Sequence, residues 1–92
     1  MATVEITEHL HTFFPSLGEG SLEVEAATVA GVVEALEERA PGFAFYVCDE
    51  RGRLRRHVNV FVDDVTIADR RTLSDAVGPT SRVLILQALS GG

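Results

Sequence analysis

Hydrophobic and polar positions alternate in the first residues. Over residues 3–8, TVEITE, Val4 and Ile6 alternate with Thr3, Glu5 and Thr7, the period of a strand with one face buried. The stretch from His9 to Gly20 loses that period, and Pro15, Gly18 and Gly20 mark it as a turn or loop. Leu22 and Val24 then alternate with Glu23 and Glu25 and predict a second strand, forming a hairpin with the first across a long connection. The period changes at Thr28, a suitable N-cap for a helix over 28–40. Val29, Val32, Val33, Leu36 and Ala40 fall on one helical face, and Glu34, Glu37, Glu38 and Arg39 lie mostly on the other. Pro41-Gly42 ends this helix.

The apolar, aromatic run FAFYVC, residues 43–48, is expected to be a strand, with Asp49 to Gly52 as turn chemistry. Another strand is expected from Leu54 to Val62. Val58, Val60 and Val62 share one of its faces, and His57, Asn59 and Phe61 share the other. Asp63-Asp64 begins a turn, Val65 to Ala68 suggests a short strand, and residues 69–81 suit a connection holding one helical turn. Residues 82–89, RVLILQAL, are the last strand. The order is β-β-α-β-β-β, an α+β domain whose single main helix covers one face of a sheet of four or five strands. Val4, Ile6, Val33, Leu36, Val58, Val60, Val83 and Ile85 are the expected core. Because a helix covers only one face, Leu84 and Leu86 are expected to stand exposed on the other, together with Phe61.

The 92 residues suffice for one domain, expected over 1–89 and followed by a tail at 90–92. Apolar residues are 46% of the chain, an ordinary globular share that argues against disorder. The formal net charge of −6 opposes general nucleic-acid binding. All eight basic residues are arginine, so no lysine side chain here can accept an isopeptide bond, and chains cannot be built on this protein. Arg51, Arg53, Arg55 and Arg56 cluster around one turn, expected to be a solvated hairpin or an ionic contact to a partner. Cys48 stands alone within an apolar run and is expected to be structural rather than a sulfur relay. His9, His11 and His57 lack companion cysteines and ligand spacing. They are expected to be surface residues, and no metal site is predicted. The N-terminus does not read as a signal peptide, no apolar stretch approaches a membrane span, and the expected location is the cytoplasm.

The last two residues, Gly91-Gly92, follow a strongly apolar strand directly. Two glycines make a thin, flexible segment that can thread a narrow channel and present a carboxylate to a reactive centre. With the strand order above, the segments GRLRRHVNVFVDD (52–64) and RVLILQALSGG (82–92) resemble the ubiquitin-like sulfur carriers of the MoaD/ThiS family. The first of these segments is closest to the cysteine-synthesis, CysO-like subgroup. The resemblance covers nearly the whole chain and implies a β-grasp fold.

It also implies that a MoeB/ThiF-like, E1-like enzyme uses ATP to adenylate Gly92, with Gly91 beside it. A sulfur donor then leaves a thiocarboxylate, which passes its sulfur to an acceptor held by a sulfur-accepting synthase. On this reading the chain is not an enzyme, binds no cofactor itself and is a monomer when free. Phe61, Leu84 and Leu86 form its docking patch. The resemblance also covers a molybdopterin-synthase small subunit and a protein modifier conjugated through Gly92. In one place the sequence departs from the family pattern: many members carry an acidic-Gly-Asp turn before the last strand, and residues 75–81 here read DAVGPTS.

Overall fold

In the computed structural model, which describes residues 1–87, the alternating segments fold as one five-stranded sheet. The strands are β1 (Ala2–Ile6), β2 (Leu22–Val24), β3 (Val58–Val62), β4 (Val65–Thr66) and β5 (Arg82–Gln87), in the spatial order β2-β1-β5-β3-β4. β1 pairs parallel with β5, and every other neighbouring pair is antiparallel. The strand nearest the C-terminal residues is thus the centre of the sheet, held on both edges. This is the mixed, helix-covered sheet of a β-grasp.

The helices are α1 (Glu8–Phe13), α2 (Val29–Arg39) and α3 (Phe43–Val47). α2 begins where the sequence places it. The Thr28 hydroxyl accepts a hydrogen bond from the Gly31 amide at 3.1 Å, satisfying one of the free donors of the first turn. Its apolar stripe, Val29, Val32, Val33 and Leu36, is buried. All eight expected core residues are buried, among them Val4, Leu36, Val58, Val60 and Ile85 at 0% exposure.

Several elements differ from the expectation. Residues 43–48 are not a strand. α2 ends at Arg39, and Gly42, at φ +100°, turns the chain into α3. The Glu37 carboxylate accepts from the Gly42 amide at 3.1 Å and the Ala44 amide at 2.9 Å, capping the new helix. Phe43 and Val47, four residues apart, face the core, whereas Phe45 is exposed. Residues 9–20 are not wholly loop: α1 and a 3-10 turn at Pro15–Leu17 bury Leu10 and Leu17.

The third strand is shorter than 54–62, because Leu54 makes only an isolated bridge to Cys48 before Val58 starts β3. β4 stops at Thr66, short of Ala68. Residues 69–81 hold no regular helix but do contain one isolated helical turn, in which the Leu73 amide donates to the Asp69 carbonyl at 3.1 Å. They run as turns, and Ala76 bridges to Thr28 beside the start of α2.

The segment before β5, which lacks the acidic-Gly-Asp turn of the family it resembles, is closed by another device. Asp63 and Asp64 both adopt positive φ between β3 and β4, the geometry of a tight hairpin turn. The Asp63 carboxylate accepts from the Arg82 amide and from the Ser81 hydroxyl, both at 2.9 Å. These bonds hold the Asp63 carboxyl below its ordinary range.

Candidate functional site

The face of the sheet away from the core carries the predicted patch. Side chains alternate along β3 and β5, so burying Val58, Val60, Val83 and Ile85 turns Asn59, Phe61, Leu84 and Leu86 outward. The register places Phe61 directly opposite Leu84, and Asn59 opposite Leu86. Leu86 is therefore diagonal to Phe61, and the three apolar side chains occupy adjoining positions.

Polar residues frame them. Leu84 has Glu5 as its partner on β1, and Glu5 forms a 2.6 Å ion pair with Arg82. Phe61 has Thr66 on its other side. Phe61 and Leu84 are half-buried by their neighbours, and Leu86 is the most open of the three at 37% exposure.

β5 leads from this patch toward the C-terminal residues, and its last described position is fastened from the N-terminal side. The Thr7 amide donates to the Ile85 carbonyl at 3.1 Å. The Thr7 hydroxyl accepts from the Gln87 amide at 2.8 Å and donates to the Ile85 carbonyl at 3.3 Å. His9 Nε2 lies 2.8 Å from Gln87 Oε1; an amide oxygen can only accept, so Nε2 is the donor of this bond. These contacts extend the β1–β5 pairing beyond Ile6 and fix the point from which the chain continues. Gly91 and Gly92, the predicted reacting end, lie outside the described residues, as do Ala88, Leu89 and Ser90.

Other candidate residues take different places. Cys48 is buried at the end of α3. Burial pushes its thiol up, the Asp49 charge adds to the shift, and such a thiol is a poor nucleophile. Of the three histidines expected at the surface, His57 is exposed, but His9 and His11 are half-buried, each with a buried Nδ1 that has no partner among the described residues. Among the described residues no group of histidines, cysteines and carboxylates is arranged to hold a metal ion, and no helix is long and apolar enough to cross a membrane. Arg51, Arg53, Arg55 and Arg56 surround the turn before β3. The sequence reading missed the role of Thr7 and His9, because their partners stand about 80 positions away.

The ThiS family model matches residues 4–92, nearly the whole chain. This chain belongs to the ThiS family. The Mycobacterium tuberculosis sulfur carrier protein CysO is 30% identical over 77 residues, covering 82% of this chain and 83% of that protein. Among solved structures, a chain of the Amycolatopsis orientalis BexX/CysO complex superimposes with a TM-score of 0.84 at 30% identity, each chain covered completely. The crystal structure of Mycobacterium tuberculosis CysO gives 0.83 at 28% identity, covering 97% of this chain and 100% of that one. The small archaeal modifier protein SAMP1 of Haloferax volcanii, at 22% identity and a TM-score of 0.77, shares the fold over 99% of this chain and 98% of its own. Membership in the ThiS family and the likeness to CysO agree with the β-grasp and the subgroup that the sequence motifs indicated.

Proposed function

We propose that this ThiS-family protein is a sulfur carrier whose working group is the Gly92 carboxylate. The observation that carries this reading is the family match, which runs through Gly91-Gly92 on a chain whose central strand feeds those residues. Likeness to the CysO sulfur carriers supports it.

The chemistry is a two-step activation. A carboxylate is a poor electrophile, because oxide is a poor leaving group. An E1-like enzyme of the MoeB/ThiF kind therefore first directs the Gly92 carboxylate oxygen onto the α-phosphorus of ATP. A phosphorus–oxygen bond forms there and pyrophosphate departs. A sulfide equivalent then attacks the acyl carbon, AMP leaves, and a thiocarboxylate remains. In the last step the thiocarboxylate sulfur attacks an electrophilic carbon of an acceptor on a synthase, where a leaving group departs or a double bond takes up the electron pair and a proton, and water cleaves the resulting acyl–sulfur bond to restore the carboxylate. The acceptor belongs to cysteine synthesis or to another sulfur-containing metabolite.

The carrier contributes the reacting atom and a surface, and its partners contribute catalysis. Thin glycines at the end admit the carboxylate to an enclosed site. Phe61, Leu84 and Leu86 offer the apolar surface on which such a partner closes.

Intact-mass measurement tests the reading. Incubation with the adenylating enzyme, ATP and a sulfur donor is expected to raise the mass by one sulfur-for-oxygen exchange, and deletion of Gly91-Gly92 is expected to abolish the change. A ladder of conjugates on target proteins with no thiocarboxylate species would instead show a modifier. An unmodified wild-type chain would refute the carrier role.

A further inference from the structure

Two turns distant in sequence meet at the end of the sheet from which β5 leaves. The Leu54 amide donates to the Arg70 carbonyl at 2.8 Å. The Arg70 guanidinium reaches back, with Nη2 donating to the Arg55 carbonyl at 2.7 Å and the Val58 carbonyl at 2.8 Å. Arg51, Arg53, Arg55, Arg56, Arg70 and Arg71 all lie in these two turns, six of the eight basic residues in a chain of net charge −6. Five of them, all but Arg51, line an open groove of about 460 Å³ together with His57.

The groove is partly prebuilt and partly unspent. Arg55 is fixed by two bonds to the Phe45 carbonyl, at 3.1 and 2.9 Å, and lies 5.0 Å from the centre of the Phe45 ring. Arg70 is engaged by backbone carbonyls. Asp49 is the carboxylate in the lining; it is 3.4 Å from the Arg53 guanidinium and accepts from the Arg51 and Arg53 amides. Asp69, beside Arg70, accepts from its own turn. Arg56 and Arg71 are exposed and, among the described residues, have no carboxylate within 4.0 Å.

Placement gives the groove its meaning. Arg56 and His57 immediately precede Val58, the cross-strand partner of Gln87. Arg70 Nη1 lies 3.4 Å from Asn59 Oδ1, and Asn59 is the partner of Leu86. The groove thus borders both the apolar patch and the strand end that leads to residues 88–92. An enzyme that closes over those residues meets uncompensated positive charge on a protein that is acidic elsewhere.

We propose that this groove docks a carboxylate-lined surface of the adenylating enzyme, with Arg56 and Arg71 making the ion pairs and Arg55 and Arg70 holding the groove open. The proposal rests on the sulfur-carrier reading. Guanidinium groups pair with carboxylates through two parallel bonds, which gives orientation as well as attraction. A nucleic acid is disfavoured as occupant by the overall negative charge.

The test is ATP–pyrophosphate exchange by the E1-like enzyme of the same genome, with the carrier concentration varied at low and high salt. The Arg56→Gln/Arg71→Gln double variant is expected to raise the KM for the carrier about tenfold at low salt, leave kcat within about twofold, and lose the salt dependence of the wild type. Arg39→Glu, on the exposed side of α2, changes net charge by the same two units and is expected to leave KM unchanged. An adenylated wild type with an unchanged double variant overturns the docking alone. Equal losses in the double variant and Arg39→Glu overturn it too, because the effect is then one of net charge. A wild type that is not adenylated overturns the carrier reading and the docking with it.

Discussion

Leu86 is the most exposed of the three apolar patch side chains on the outer face, and its contribution to docking can be worked from the structure. It is 37% exposed, so closing a partner over it removes about a third of a leucine side chain from water. Full burial of such a side chain is worth about 1.5–3 kcal/mol, which leaves about 0.5–1 kcal/mol for this contact. Leu86→Ala is therefore expected to weaken capture by the adenylating enzyme only about two- to fivefold. Leu86→Glu also strands a carboxylate against an apolar partner, at a further cost of about 1–3 kcal/mol, and the loss is expected to be tenfold or more. The assay is the KM for the carrier in ATP-dependent adenylation of Gly92, with thermal melts by circular dichroism as the folding control. The fold is expected to survive, because the position opposite is Asn59 and the side chain already faces outward. A well-folded Leu86→Glu variant with an unchanged KM would remove Leu86 from the docking surface. The case for Gly92 would stand untouched, because it rests on other residues.

Three further predictions concern the frame around this site. Leu36 is completely buried under the sheet, so Leu36→Ala is expected to cost about 2–5 kcal/mol in chemical denaturation; a loss under about 1 kcal/mol would refute the assigned helix face. Thr7→Val removes the acceptor of the Gln87 amide, and is expected to cost about 1 kcal/mol and to speed hydrogen exchange at Gln87 selectively. Unchanged protection there would show that β5 needs no such tie. The hydroxyls of Ser74 and Thr72 and the Thr72 amide hold the Asp69 carboxyl far below its ordinary 3.8. Its folded-state value is depressed, so its stabilisation is fully present above the unfolded value and drains away as pH falls through and below about 4. Asp69→Asn is expected to lower the melting temperature at pH 7 and to flatten its acid decline. A variant whose melting temperature falls with acid as steeply as the wild type would show that Asp69 is not among the groups responsible.

Local pattern alone determined much of this protein. Period two at Val4 and Ile6, a helical stripe from Val29 to Ala40 with Thr28 as cap, and alternation through β5 each follow from which neighbours share a face. That requires no knowledge of the rest of the chain. The same alternation sorted Phe61, Leu84 and Leu86 from Val60, Val83 and Ile85. Gly91-Gly92 and the segments 52–64 and 82–92 were legible as residues, and with them the family.

Elsewhere tertiary structure decided. FAFYVC is apolar throughout, and a continuous apolar run fits a buried strand or a buried helix equally well. The choice fell to Glu37, which caps the chain at Gly42 and Ala44, and to a core that receives Phe43 and Val47 but not Phe45. α1 was hidden because a single buried residue, Leu10, sets no period. Side-chain alternation likewise fixes a face without fixing a neighbour. Only the strand order β2-β1-β5-β3-β4 sets Phe61 against Leu84, brings Thr7 and His9 to Gln87, and joins Arg70 and Arg71 to the arginines of the preceding turn. These pairings are long-range, and the free energy that selects them comes from burying one face of the whole sheet under α2, which no single segment encodes.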